Sequence, residues 1–214
     1  MFGGKGEHIN SVALFNKMSI VLKSFTYSYN WGRTEDMKLY KMDFEELCLT
    51  EVEEDNKIRP LEFEDSFMYS YFSENEFIIM VFREPKLEYS KQKHELYENT
   101  FLGFKRIVFN DDFLDGPVKT FWEDTRYKVM NNKLEFKEQK LKSGELRHND
   151  SDGGVRGAPN FLKSSQNDVF MRGSGGDSSQ KSKTSTINSL KMIPQYVWLK
   201  GKQVKDILDE MDFI

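Results

Sequence analysis

The chain has 214 residues, 38% hydrophobic, 31% charged and 14% aromatic, which excludes simple disorder and fibrous repeats and suits one globular domain, or at most two small ones, with a ring-rich core. Its 31 Lys and Arg stand against 35 Asp and Glu, so the formal charge of −4 does not by itself signal an anionic partner. A single cysteine, Cys48, excludes an intrachain disulfide and a cysteine-based zinc site; with no apolar leader and no run near the roughly 18 apolar residues of a spanning helix, a soluble, unprocessed, cytoplasmic protein is expected.

The spacing of Val12, Phe15, Met18, Ile20 and Leu22 predicts a buried helix over Ile9–Lys23, with Asn10 or Ser11 as its cap. Because that helix would begin with little lead-in, a longer parent chain is expected. From Asp43 to Glu53 the run DFEELCLTEVE sets Leu47 and Leu49 against polar neighbours, the alternation of a strand. FMYSYF from Phe67 and EFIIMVF from Glu76 then read as a hairpin across Ser73, Glu74 and Asn75, the second strand being apolar enough for a central place. A further strand is expected at Lys105 and a helix from Val118, with Phe121, Trp122, Tyr127 and Val129 on its buried face.

Between Ser143 and Pro159 a Gly, Asp and Ser cluster predicts a mobile surface loop. A short strand opening into a Gly, Ser and Lys loop follows from Asn167 to Thr186; then come one strand in SLKMIPQYVWLKG and an amphipathic helix in KQVKDILDEM. This order predicts an α/β class fold, an α+β mixed sheet flanked by helices.

Charge is segregated along the chain. From Glu35 to Glu76 there are 14 acidic and 4 basic residues, net −10, whereas Val155 to Lys205 carries 9 basic and 2 acidic, net +7. Lysines and arginines among Gly and Ser, with Tyr196 and Trp198 beside them, suit phosphate contact and groove insertion; a merely solvated lysine-rich surface is the other reading. His8, His94 and His148 have no ligand spacing, and Gly173 to Gly176 lacks the lysine and helix of a phosphate loop.

The acidic run bears on metal-dependent phosphodiester cleavage, which needs carboxylates to hold Mg²⁺ and usually a lysine to orient water. Strand geometry would call for an Asp followed by Glu-x-Lys, but those later positions hold Thr50, Glu51 and Val52. An altered site of Asp43, Glu51 and Glu53, with Lys57 the nearest lysine, requires a register slip that turns Leu47 and Leu49 out of the core.

Asp43, Phe44, Glu46 and Leu47 resemble, in register, the strand D-F-x-E-L-G-x-E-L-K-T of the MutH family of mismatch-repair and GATC-cutting type II restriction endonucleases. Arg59, Pro60, Leu61 and Glu62 match its R-P-L-E. EFIIMVF, FWEDTRYKVM, VFMRGSGG and KMIPQYVWLKGKQVKDIL follow in the family's order. The likeness is greatest to the second, non-catalytic domain of tandem members, and implies a restriction-endonuclease-like fold of MutH type. It also implies that residues 1–214 are one DNA-binding domain, the C-terminal half of a longer chain in a restriction-modification system.

On that resemblance the catalytic site is degenerate. Thr50 replaces a metal carboxylate, Val52 replaces the catalytic lysine, a further lysine falls near Ser73, Glu74 and Asn75, and only Asp43 survives. The domain would then hold no metal and cut nothing, Mg²⁺ serving the parent endonuclease. Its partners would be double-stranded DNA and the catalytic N-terminal domain of the same chain, which it would regulate allosterically. The recognition side is better kept: Arg172 matches the base-reading arginine, Gly173 and Ser174 replace Pro-Lys, and Ser174, Asp177, Ser178 and Ser179 are available to rebuild specificity. Trp198 falls where the family places a tyrosine near the methylatable adenine, burial in the core being the alternative. Lys181, Lys183, Lys200 and Lys202 complete the expected DNA contacts.

Overall fold

A computed structural model of the chain describes residues 18–32, 35–52, 58–86, 95–174 and 179–214. It is a mixed α/β structure whose chain divides into two compact units, the first of residues 1–37, 70–111 and 200–214, the second of residues 38–69 and 112–199.

In the first unit, β1 (Ile20–Tyr27), β5 (Glu76–Arg83) and β6 (Thr100–Ile107) form a sheet in the order β1-β5-β6, β1 running parallel and β6 antiparallel to β5. As its apolar run predicts, β5 is central; Phe77, Ile79 and Val81 are buried on one face, where Phe72, Phe77 and Phe109 meet edge-on or stacked. The amphipathic helix read from the sequence is present as the C-terminal helix Gly201–Glu210, with Val204 and Leu208 buried. Tyr27 donates to Asp209 Oδ1 at 2.7 Å, and burial, then this bond, push its phenol well above the ordinary range.

Two expectations fail in this unit. Residues 9–17 lie outside the described residues, and Ile20 to Lys23 belong to β1 instead of a helix, the β-branched Ile20 and Val21 pairing with Glu76 and Phe77. The hairpin before β5 is replaced by the helix Phe67–Ser73, so the antiparallel partner of β5 is β6.

The second unit holds a sheet in the order β2-β12-β9, built from Met37–Lys41, Gln195–Leu199 and Val169–Gly173. It also holds the ribbons β3 (Thr50–Val52) with β4 (Ile58–Pro60), β7 (Phe136–Glu138) with β8 (Gly157–Pro159), and β10 (Ser185–Ile187) with β11 (Leu190–Met192). Among the described residues, the α-helices longer than a single turn's three residues are, in chain order, α1 (Phe44–Leu47), α2 (Phe67–Ser73), where the division between units falls, α3 (Lys119–Met130) and α4, the Gly201–Glu210 helix of the first unit.

The acidic run is not one strand. Asp43 is the N-cap of α1, its Oδ1 accepting from the amides of Glu45 at 2.9 Å and Glu46 at 3.1 Å. Only Thr50–Val52 is extended, so Leu47 is fully buried while Leu49 is 52% exposed, contrary to the alternation expected of them. FMYSYF is helical because Ser66 and Glu46 cap it: Ser66 Oγ accepts from Tyr69 N at 3.1 Å and Glu46 Oε1 from Phe67 N at 2.9 Å.

Helical backbone begins at Asp111 and passes through a π-helical turn at Leu114–Val118 into α3, earlier than Val118. Phe121, Trp122 and Val129 are buried there as expected, but Tyr127 is exposed and Thr125 and Arg126 take the inner face. The stretch from Ser143 to Pro159 is mostly exposed and ends in a short strand. It is a hydrogen-bonded succession of turns, with bridges Lys140 to Leu146 and His148 to Val155 leading into β8. Pro194 has no amide to donate, and SLKMIPQYVWLKG accordingly splits into β11 and β12.

Among the described residues no helix is long and apolar enough to cross a membrane.

Candidate nucleic-acid interface

In β12, Gln195, Val197 and Leu199 are buried, so Tyr196 and Trp198 share the opposite, half-exposed face. The antiparallel register places Arg172 of β9 across from Tyr196 and Phe170 across from Trp198. The exposed Arg172 guanidinium lies over both the Phe170 ring, 5.0 Å from its centroid, and the Trp198 ring, at 5.1 Å. Trp198 Nε1 donates to Arg172 O at 3.2 Å, fixing the indole beneath that side chain. Of its two sequence readings, core burial is excluded: Trp198 belongs to the outer face.

From β2, Lys38 joins the same surface. Its Nζ is 3.5 Å from the Tyr196 ring centroid and donates to Ser174 Oγ at 3.0 Å. Nothing in the sequence marks Lys38 for this place, since it sits in the acidic half of the chain. Guanidinium and ammonium groups laid over rings are oriented by them, an arrangement suited to phosphates and base edges.

Gly173 has a local cause. A Cβ there would lie 2.2 Å from Ile193 Cδ1, so any larger residue at this point of β9 requires the Ile193 side chain to move. Beyond Ser174, Asp177 and Ser178 lie outside the described residues; Ser179 is buried, bonded through Oγ to Ser182 Oγ at 3.2 Å. Lys181 is exposed, whereas Lys183 is parked 4.8 Å from the Phe136 ring centroid. Lys200, the N-cap residue of α4, and the exposed Lys202 belong to the first unit.

The acidic residues are placed differently. Asp43 is committed to the α1 amides and Glu46 to α2. Thr50 is exposed on β3, whose backbone register sets Glu51 across from Arg59 and Val52 across from Ile58, bringing the matched Arg59 and Pro60 beside the degenerate strand. Arg126 locks this segment from α3: Nη1 donates to Leu47 O at 2.8 Å, Nη2 to Leu49 O at 2.9 Å, and its guanidinium stacks 4.9 Å from the Trp122 centroid. Lys119 adds an ion pair with Glu64 at 2.9 Å, which holds the Glu64 carboxyl below its usual range. Burial pushes the Cys48 thiol up, away from thiolate chemistry. Glu53 and Lys57 lie outside the described residues, and among the described ones no three His, Cys, Asp or Glu side chains are grouped to hold a metal ion.

The chain matches no protein-family profile and no curated protein sequence.

Proposed function

We propose that this chain is a MutH-type, double-stranded DNA-binding domain that reads GATC-like sites and acts as an allosteric effector of a catalytic partner domain in a type II restriction endonuclease. The observation carrying the proposal is Arg172, laid over Phe170 and Trp198 on an open sheet face beside Lys38 and Tyr196. An arginine so oriented presents N–H donors to guanine O6 and N7, the commonest specific major-groove contact, while Lys38 lies within the same surface for phosphate. Hydrolysis is assigned to the partner domain with its Mg²⁺, because Thr50 and Val52 offer neither carboxylate nor lysine and Asp43 is engaged as a helix cap. Regulation of that domain would be reciprocal: cleavage-competent DNA bound there would tighten binding here.

Fluorescence-anisotropy titration against a GATC duplex and a scrambled duplex tests the reading. The expected outcome is at least about tenfold preference for GATC, with affinity falling linearly in log salt. Equal binding to the two duplexes, or none, would overturn it.

A further inference from the structure

In the first unit, β1 and β5 run parallel and end side by side, with Tyr27 in register with Arg83. The carboxyl ends of parallel strands are where the loops of open α/β sheets gather ligands. Here the turn that leaves β1 is tied down by its own hydrogen bonds. Trp31 N donates to Ser28 O at 2.9 Å, and Asn30 Oδ1 accepts from Ser28 Oγ at 2.8 Å and from Gly32 N at 3.2 Å. The turn displays two large rings, Tyr29 at 47% and Trp31 at 48% exposure. Trp31 also holds a left-handed backbone, φ +60°, which a bulky side chain rarely adopts and which is found preferentially at functional positions.

Each exposed ring has a cation beside it from the end of β5 and the segment that follows. The Arg83 guanidinium lies 5.1 Å from the Trp31 ring centroid, and Lys86 Nζ lies 5.9 Å from that of Tyr29. Among the described residues no acid is ion-paired with Arg83 or Lys86. The buried Tyr27 packs against Trp31 with centroids 5.1 Å apart, and Asp209, which reaches the Tyr27 hydroxyl from α4, is spent on that hydroxyl and on Lys205. Open rings flanked by cations select among ligands. A quaternary ammonium would be repelled by Arg83 and Lys86, and an acidic peptide would leave both rings without a partner. A duplex hides the faces of its bases within its own stack. Unpaired nucleotides satisfy both groups at once, bases stacking on rings and phosphates pairing with cations.

We infer that the Tyr29–Trp31 turn, with Arg83 and Lys86, is a binding site for single-stranded nucleic acid, bases stacking on the two rings and phosphates lying on the two cations. The site belongs to the first unit, whereas Lys38, Arg172 and Trp198 belong to the second, and it does not rest on the duplex-reading proposal.

Fluorescence anisotropy of a labelled oligothymidylate of about eight nucleotides, titrated with the full chain across a range of salt, tests it. The variants are Trp31→Asn, which removes the ring and keeps a residue tolerant of the left-handed backbone, and Lys86→Ala. Lys86 is exposed, so its loss leaves the fold intact and keeps the test decisive should Trp31→Asn fail to fold, as urea midpoints measured in parallel would reveal. The oligonucleotide is expected to bind the wild type, to bind Trp31→Asn about tenfold more weakly, and to bind Lys86→Ala more weakly with a shallower dependence on salt. A polyglutamate peptide of equal charge is expected to compete poorly. No binding by the wild type, affinity unaltered in folded Trp31→Asn or in Lys86→Ala, or competition by polyglutamate equal to that of the oligonucleotide would overturn the site. A GATC duplex titration separates the two claims: oligothymidylate binding without duplex preference removes the duplex-reading function alone, and duplex preference without oligothymidylate binding removes this site alone.

Discussion

Two charged regions of the second unit differ in what their charges touch. In the segment from Asp43 to Val52, each described charge with a resolved contact is spent on the backbone: Asp43 caps α1, Glu46 caps α2, and Arg126 reaches in from α3 to hold Leu47 O and Leu49 O. On the outer face of β2, β12 and β9, Lys38 and Arg172 instead lie on aromatic rings and face outward. Charge density alone would rank the acidic segment as the active one, yet its acids are scaffolding. The informative quantity is whether a charge is spent on the protein's own backbone or displayed with aromatic rings on an exposed face.

If that contrast is right, Arg126→Ala should have the largest effect on stability, about 3 kcal/mol in urea denaturation, because two carbonyls lose a charged donor. Arg126→Lys should restore little, since one ammonium cannot span both oxygens. Gly173→Ala should cost about 1–3 kcal/mol by overpacking against Ile193, and Ile193→Ala in the same chain should recover much of the loss. Asp43→Ala should cost about 1 kcal/mol as a lost cap, while Asp43→Asn, which caps as well, should be nearly silent; a large loss in the asparagine variant would return Asp43 to a charge-dependent role.

The smallest effect concerns pH. The hydrogen bond from Lys119 lowers the folded pKa of Glu64, so its contribution is full above the ordinary glutamate range and is lost as pH falls through the depressed value. Glu64→Gln should flatten that acid limb in urea midpoints measured across pH, leaving neutral stability little changed because the pair is exposed.

The sequence made β5, α4 and the interior of α3 legible, since a continuous apolar run, an amphipathic period and a ring-rich helix are local signals. It misled at Phe67, where aromatic content resembles a strand and the deciding groups include the carboxylate of Glu46, distant in sequence. For Asp43 the signal was present and was outweighed: Asp-x-x-Glu before an apolar residue marks a helix start. Arg172 and Trp198 stood out individually, but their stacking depends on the β9–β12 register and the approach of Lys38 on a strand from the opposite end of the chain. Neither is written in local spacing.

The most direct test of the central claim is a salt-dependent titration of wild type and Arg172→Ala against the GATC duplex, with urea midpoints measured in parallel. Arg172 is exposed, so its replacement should leave the midpoint unchanged, weaken GATC binding about tenfold or more, and erase the preference over a scrambled duplex. Unaltered affinity and preference in Arg172→Ala would contradict the account, and the face of β9 and β12 would then be a solvated surface like any other.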